Sequence, residues 1–331
     1  MVKFLERNIY LDNVKGLLIF FVVIGHMIEG HIYNSIWFIP YLYIYIFHMP
    51  LFIFISGYFS KKTVNDQVKI FSRFLLPFFV SISLGYVVQS IFIKRLNLNF
   101  LVNYGALWYF LSLFIMCLLL PIVIKIRCNI LILFFFSLVI GFFSASGTFL
   151  SLSRTICFFG YFLLGYYCPI SFFSYIKNKK IPIVVITLII SILLYFFFTS
   201  RYGLQHIRGI VLTLLRSDAY KDMEIGQITG LLFRAITIPL SILFGVFVLA
   251  CTPEKLTILS YLGRASVIIY IFHVYYVSLF WRLFTLDEDS ILGMAIIIIS
   301  SIGITVFLSI PVFKKMYNRC MIILEKIIIL A

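Results

Sequence analysis

Ten runs of about 17–25 mainly apolar residues, each long enough to cross a bilayer as a helix, divide this chain. They fall at 11–30, 37–60, 70–93, 106–124, 130–146, 153–170, 181–198, 229–251, 261–282 and 291–313. In lipid a spanning segment has to pair its own backbone polar groups, which leaves helices or closed barrels. The runs are too long and too uniformly apolar for barrel strands, which alternate over about ten residues. The pattern predicts an all-α, polytopic integral membrane protein with about ten transmembrane helices, a single membrane-embedded domain over residues 1–331. Composition agrees: 63% of the residues are hydrophobic and 12% charged, whereas a soluble domain carries about 25% charged residues. A globular enzyme with one anchor is excluded. Breakers fill the gaps at Lys61–Gln67, Lys94–Gly105, Lys125–Asn129, Lys177–Pro182, Arg201–Gly230, Thr252–Lys255 and Asp287–Ser290.

The net charge of +15 does not indicate a nucleic-acid partner, because the basic residues sit in short clusters between apolar runs, as topogenic loops do. With the N-terminus in the cytoplasm, seventeen Lys and Arg lie on the inner side, nine on the outer side, and Lys15 within the first helix. The positive-inside rule then predicts both termini in the cytoplasm. The longest loop, about 199–228, and the acidic Asp287–Glu288–Asp289 group face outward. The basic start and apolar run lack a small-residue cleavage site, so the first segment is predicted to be a retained helix. Six cysteines without CxxC or paired spacing read as small packing residues, and no metal site is predicted.

Against this apolar background a few ionisable residues stand out, since a charge at membrane depth costs at least about 2.5–3.5 kcal/mol on insertion scales and by default marks function. The first helix, DNVKGLLIFFVVIGH, carries Asp12, Lys15 and His26. At about 100° per residue Lys15 and His26 lie about 20° apart around the helix, with Asp12 about 40–60° from both. One stripe is thus polar at two depths, roughly 16 Å apart along the axis. Lys15 has a bland alternative in snorkelling, and Asp12 in an N-cap or an i, i+3 partner to Lys15. His26 has no such local reason, and Glu29 at i+3 is placed to orient its ring or raise its basicity.

The second helix holds His48-Met49-Pro50-Leu51-Phe52 and Ser56-Gly57. Pro50 frees a carbonyl near mid-membrane, so a kink or cavity is expected, with His48 either answering that polarity or serving function. Ser56-Gly57 allows close helix contact or opens a path for a ligand. Arg73 begins the third helix beside the basic collar of Lys61, Lys62 and Lys69, and is placed to fork onto a phosphate. Trp108 reads by default as interfacial belt. Arg154, His273 and Arg234 are further polar residues in apolar surroundings, Arg234 with snorkelling as its simple explanation. No GxSxG, HExxH, Walker A or dinucleotide fingerprint occurs.

Taken together, these residues resemble the membrane acyltransferase 3 family, in particular its short fucose 4-O-acetylase-like O-acetyltransferases. The likeness is carried by Asp12-x-x-Lys15-Gly16 with Gly25-His26, by His48-Met49-Pro50-Leu51-Phe52 with Ile55-Ser56-Gly57-Tyr58-Phe59, and by Arg73-Phe74-Leu75-Leu76-Pro77. Leu107-Trp108-Tyr109-Phe110-Leu111, Gly263-Arg264-Ala265-Ser266 and Tyr270 to His273 extend it. Lysine stands at position 15 where the family more often has arginine, which removes a guanidinium fork there.

The resemblance implies an enzyme of the bacterial cytoplasmic membrane with no permanently bound cofactor. It would take an acyl group from cytoplasmic acyl-CoA, most commonly acetyl-CoA with succinyl-CoA as the variant, and place it on a hydroxyl of a surface polysaccharide or lipid-linked sugar. His26 is then the candidate base or transient acyl carrier, with Glu29 and Asp12 supporting the chemistry. Lys15 and Arg73 would hold CoA phosphates, with Ser56 on the donor path. Trp108, Arg154, His48 and His273 are candidates for contact with the acceptor. Larger relatives add an extracytoplasmic SGNH-type domain, which this chain lacks, so transfer is expected within the membrane domain or through a partner in polysaccharide synthesis. A homo-oligomer is compatible with this reading. The rival reading is a glycan or small-molecule exporter whose intramembrane charges line a path, although no paired broken helices mark the two halves.

Overall fold

The computed structural model describes residues 8–33, 35–61, 63–93, 105–144 and 149–328. Within them the chain is helical, with no β-sheet. Asn8 caps the first helix, its side chain accepting from the Leu11 amide at 3.1 Å, which answers one of the orphan donors at a helix start. That helix, α1 (Ile9–Ile28), tightens into a 3₁₀ turn at Glu29–His31, and α2 (Phe38–Ser60) returns alongside it. Next come α3 (Gln67–Ile70), a π-turn at Phe71–Leu75 and α4 (Leu76–Ile93), which together fill the third predicted run. The following helices are α5 (Trp108–Val123), α6 (Asn129–Val139), α7 (Leu152–Tyr167), α8 (Ser171–Asn178) and α9 (Lys180–Thr199).

By length and apolarity seven of the described helical segments can cross a membrane, and an eighth can if α7 and α8, bent by 96° at their junction, count as one broken span. The shorter apolar helices Trp108–Val123 and Asn129–Phe142 occupy two further predicted runs. The predicted breaker at 94–104, the end of the 130–146 run and the basic residues Lys3, Arg7, Lys62, Lys94 and Arg95 lie outside the described residues.

Two differences from the predicted layout matter for the site. The 199–228 stretch is not a solvent loop. It folds as α10 (Arg201–Gln205) and α11 (Ile207–Leu215), and α11 buries Ile207, Ile210, Val211 and Leu214 among the spans. A nine-residue helix is too short to cross a bilayer but suits a segment that dips into the bundle. Next, α12 (Gln227–Cys251) matches its run, whereas the ninth run breaks at Ala265 into α13 (Ile258–Arg264) and α14 (Ser266–Leu283). The last run ends at Leu308 with α15 (Ile291–Leu308), after which α16 (Pro311–Ile328) begins a separate amphipathic helix.

Helices α1 and α2 are the enclosed centre of the bundle, while α9 leaves most of its surface uncovered. Association in lipid lacks the hydrophobic drive available in water, so close approach of small residues has to supply packing energy. Glycines provide that approach twice. A Cβ at Gly57 would run into the carbonyl of Phe162, and one at Gly165 into that of Phe54, which locks α2 to α7. Gly16 meets the backbone of Leu259 and Gly263 that of Asp12, which locks α1 to α13. The small residues in the Lys15-Gly16, Ser56-Gly57 and Gly263-Arg264 sequences therefore set interhelical distance. Gly57→Ala is expected to destabilise the protein by about 1–3 kcal/mol through overpacking. Gly303, with open space around it, should accept alanine without loss. Thermal unfolding of the two purified variants in one detergent checks the contrast.

Candidate functional site

The polar stripe of α1 resolves into two separate clusters. At the N-terminal end Asp12 is buried, and its carboxylate lies 2.7 Å from Lys15 Nζ and 3.5 Å from Arg264 Nε. Sequence spacing anticipated the Lys15 contact, whereas Arg264 arrives from α13 through the Gly16–Gly263 approach. Lys15 also lies over the Phe59 ring at 5.4 Å, and Arg264 over Tyr261 at 5.5 Å. Two cations thus share one buried carboxylate at that end of the bundle. Arg73 stands exposed on the π-turn, where the neighbouring Ser72 hydroxyl donates to Glu325 of α16 at 2.8 Å. Asp12 does not line the cavity around His26. Fourteen residues separate the two along α1, about 21 Å of helix rise.

At the other end of α1, His26 Nδ1 lies 2.7 Å from Glu29 Oε2. Glu29 is acceptor-only when ionised, so Nδ1 donates to it, and in the neutral ring the lone pair lies on Nε2. A cavity of about 90 Å³ opens beside this pair, lined by His26, Glu29, Tyr45, His48, Met49, Trp108, Arg154, Phe158, Leu214, Leu215 and Tyr270. That volume exceeds the ~10–15 Å³ needed for one water several times over, so the space suits a small hydroxyl-bearing group rather than a packing defect. Its wall brings a carboxylate, a guanidinium and two imidazoles together.

Each polar side chain is held by a specific contact. Arg154, on the first turn of α7, donates from Nε to the Leu215 carbonyl at 3.1 Å and lies over the Trp108 ring at 5.2 Å. Trp108 in turn stacks on Phe158 at 5.3 Å. It is buried inside the bundle, so the interfacial-belt reading gives way to a place in the cavity wall. The Tyr270 hydroxyl donates to the Ala106 carbonyl and so fixes the turn that delivers Trp108. His48 bonds the Ile44 carbonyl through Nδ1 at 2.7 Å. His273 does the same with Ile269 at 3.0 Å and packs behind His26, ring centroids 5.2 Å apart, without lining the cavity. Ser56 meets the Tyr109 hydroxyl at 2.7 Å, and Tyr109 packs 5.0 Å from Tyr270. Ser56 is therefore linked to the cavity wall through two tyrosines rather than lying in it.

The carbonyl freed by Pro50 belongs to Ile46, and it is Ser241 of α12, not His48, that answers it, at 2.6 Å. Behind Ser241 lies Arg216, fully buried, donating from Nη2 to Tyr161 at 3.1 Å and to Ser241 at 3.5 Å. Its guanidinium sits 5.0 Å from the Phe158 ring centroid and 5.3 Å from that of Tyr161. Arg216 ends α11 at φ 57°, a left-handed conformation that costs a non-glycine residue free energy and is kept where surroundings impose it. Arg234 is likewise fully buried, bonded to the carbonyls of Asp218 at 3.1 Å and Ser137 at 3.4 Å and lying over Tyr220. It does not snorkel. Both arginines counted among the outer loop charges, so the basic asymmetry between the two faces is larger than the sequence count indicates.

Sequence reasoning missed Tyr45, Arg216 and Ser241 as site residues, and named Arg264 and Tyr270 only as part of the family likeness, with no role. The signal for Arg216 was present in the short apolar run 207–215 that ends on it. The others depend on pairings between distant helices.

A family model for the acyltransferase domain (Acyl_transf_3) matches residues 8–310. The chain belongs to the acyltransferase 3 family. The spans and the match together show a helical membrane protein that carries this family's domain. Among curated proteins it is similar to nodulation protein NolL of Sinorhizobium fredii (strain NBRC 101917 / NGR234), 48% identical over 63 residues. It is similar also to NolL of Mesorhizobium japonicum (strain LMG 29417 / CECT 9101 / MAFF 303099), 44% identical over 63 residues. Each alignment covers 18% of this chain and 17% of the relative, so the likeness to both is local. No solved structure matches this chain significantly.

Ser241→Ala is expected to leave the buried Ile46 carbonyl unpaired and to cost the acyltransferase about 1–3 kcal/mol. Ser241→Thr, which keeps the hydroxyl, should recover most of that stability. Thermal unfolding of both variants provides the measurement.

Proposed function

We propose that the enzyme is an O-acyltransferase that moves an acyl group, most simply acetyl, from cytoplasmic acyl-CoA to a sugar hydroxyl in the His26 cavity. The observation that carries this reading is the His26–Glu29 pair at 2.7 Å, opening onto a cavity that also holds Arg154. Nε2 of His26 takes the proton of the acceptor hydroxyl as its oxygen attacks the thioester carbonyl. The new C–O bond forms while the carbonyl becomes a tetrahedral oxyanion. Collapse breaks the C–S bond, and the imidazolium returns the proton to the departing thiolate. Glu29 holds the reactive tautomer and stabilises the imidazolium, as an orienting carboxylate does in other acyl-transfer sites. The guanidinium of Arg154 has N–H groups beyond the one bound to Leu215 and serves the oxyanion. Trp108, His48 and Tyr45 shape the acceptor side of the same space, and His273 braces the His26 ring from behind.

Lys15 and Arg264, held by Asp12, form with Arg73 the donor end, where the CoA phosphates bind. In this reading the protein sits in the bacterial cytoplasmic membrane with both termini in the cytoplasm, the N-terminal end of α1 at the cytoplasmic face and His26 toward the outside. The basic asymmetry supports that orientation. Cysteines introduced at Asn65 and Asn178 should then resist an impermeant thiol reagent on intact cells, and one at Thr285 should react with it.

His26→Ala should insert and fold normally yet lower transfer about 10²-fold or more, the scale of a lost general base. Retention of more than about half of wild-type turnover would remove the assignment. Glu29→Gln, which preserves shape without charge, should fall between the two. Product formation from labelled acetyl-CoA by purified protein reads all three. On the donor side, Lys15→Gln and Arg264→Gln should weaken CoA binding by roughly 10-fold or more, the value of a charge-assisted bond. Titration of CoA against each variant checks this, and unchanged affinity in both contradicts the donor assignment.

A further inference from the structure

Helix α16 follows the last span after two residues and opens on Pro311, a residue suited to a first helical turn. It is not among the helices apolar enough to cross a membrane, yet it does not hang free of the bundle. Phe313 turns back onto Phe307 of α15, ring centroids 4.9 Å apart. Fourteen residues past Pro311, Glu325 accepts from Ser72 at 2.8 Å, and α16 packs on α4 and α14. Ser72 stands near the start of the third span, at the end of the bundle where α15 finishes. About 21 Å of helix therefore runs across that end rather than away from it.

Around its axis, at about 100° per residue, α16 divides into three sectors. Phe313, Leu324 and Tyr317 fall within about 40° of arc and are half-buried toward the bundle. Val312, Ile323, Met316 and Ile327 fall within about 60°, and each is more than half exposed. Lys315, Lys326 and Arg319 occupy about 40° beside that apolar sector. All three are exposed, and among the described residues none has an ion-pair partner. The one carboxylate of α16 is Glu325, already committed to Ser72.

From this three-way division we infer that α16 is a seat for anionic phospholipid, its apolar sector sunk among the acyl chains and its cations on the headgroup phosphates. The rotation fits such a position. With the apolar sector facing lipid, the bundle sector points roughly 90° to one side and the cations roughly 70° to the other, away from the protein and level with the headgroups. Exposed aliphatic residues in a row need an apolar medium, and cations beside them bind most strongly where that medium carries negative charge. A water-soluble acidic partner answers the cations and leaves the aliphatic row in water. A second copy of the same face sets like charges against each other. None of these residues lines the His26 cavity, so the seat is independent of the acyl-transfer reading.

The test uses the full chain in phosphatidylcholine nanodiscs containing a minority of phosphatidylglycerol. Photolabelling compares phosphatidylglycerol and phosphatidylcholine probes that carry the same diazirine near the glycerol backbone. The phosphatidylglycerol probe should label the 311–328 peptide about tenfold or more above the other, since each cation at a charged surface is worth about 1 kcal/mol, or about fivefold. Raising salt from about 0.1 M to 1 M, which shortens the Debye length from about 10 Å to 3 Å, should shrink that preference. Combining Lys315→Gln, Arg319→Gln and Lys326→Gln should abolish it, whereas Lys315→Arg with Lys326→Arg should retain it and guards against a trivial loss of fold. Ile323→Asn with Ile327→Asn should lower labelling of this peptide by both probes. Lys125→Gln with Arg127→Gln, exposed between α5 and α6, should leave it unchanged. Equal labelling by the two probes, or a preference that survives the triple variant, would overturn the inference. Insensitivity to the asparagine pair would also overturn it and mark a surface for a soluble acidic partner, and cross-links joining the 311–328 peptides of two chains would replace it with a self-interface.

Discussion

An ionisable group at membrane depth has to find its partners inside the protein, and that requirement organises this bundle. Helix α1 carries one carboxylate, one ammonium and one imidazole in otherwise apolar sequence, and it is among the most enclosed of the spans. Asp12 is answered by Lys15 and Arg264, and His26 by Glu29. Helix α13 comes close enough to deliver Arg264 because Gly16 and Gly263 remove the side chains that would hold the backbones apart. Helices α2, α5, α7, α11 and α14 close around His26 and supply the remaining wall.

The same rule explains the buried residues that have no part in the chemistry. Pro50 exposes a carbonyl, Ser241 takes it, and Arg216 lies behind Ser241 against Phe158 and Tyr161. Phe158 is also a wall of the cavity and stacks on Trp108, over which Arg154 lies. A chain of polar and aromatic contacts thus runs from the proline kink to the guanidinium proposed to meet the oxyanion. Nη1 of Arg216 has no hydrogen-bond partner among the described residues, so the aromatic rings of Phe158 and Tyr161 supply the contact on that side.

Much of this was legible in the sequence because periodicity and spacing are local. The apolar runs marked the helices, and the i, i+3 spacing from Asp12 to Lys15 and from His26 to Glu29 gave both pairs seen in the structure. The Ser56-Gly57 pair was read as allowing close helix contact, and Gly57 meets α7 in that way. What could not be read depends on which helices become neighbours. Nothing near Asp12 announces Arg264, and nothing near Pro50 announces Ser241. Trp108 reads by default as interfacial belt because tryptophan favours that depth, and only the family resemblance made it an acceptor candidate; the start of α5 buries it within the bundle. Arg216 and Arg234 were counted as topogenic charges because an arginine beside a break resembles a loop charge until tertiary structure buries it.

The account's central claim is that His26 acts directly on the acceptor hydroxyl. An electron cryo-microscopy structure of the enzyme in nanodiscs, with CoA and a bound lipid-linked acceptor, tests it most directly through one distance. The acceptor oxygen should lie within hydrogen-bond reach of His26 Nε2, about 2.6–3.2 Å or one water away, with the Glu29 contact at Nδ1 intact. An acceptor seated elsewhere, with Nε2 facing protein and no hydroxyl within reach, would contradict the account.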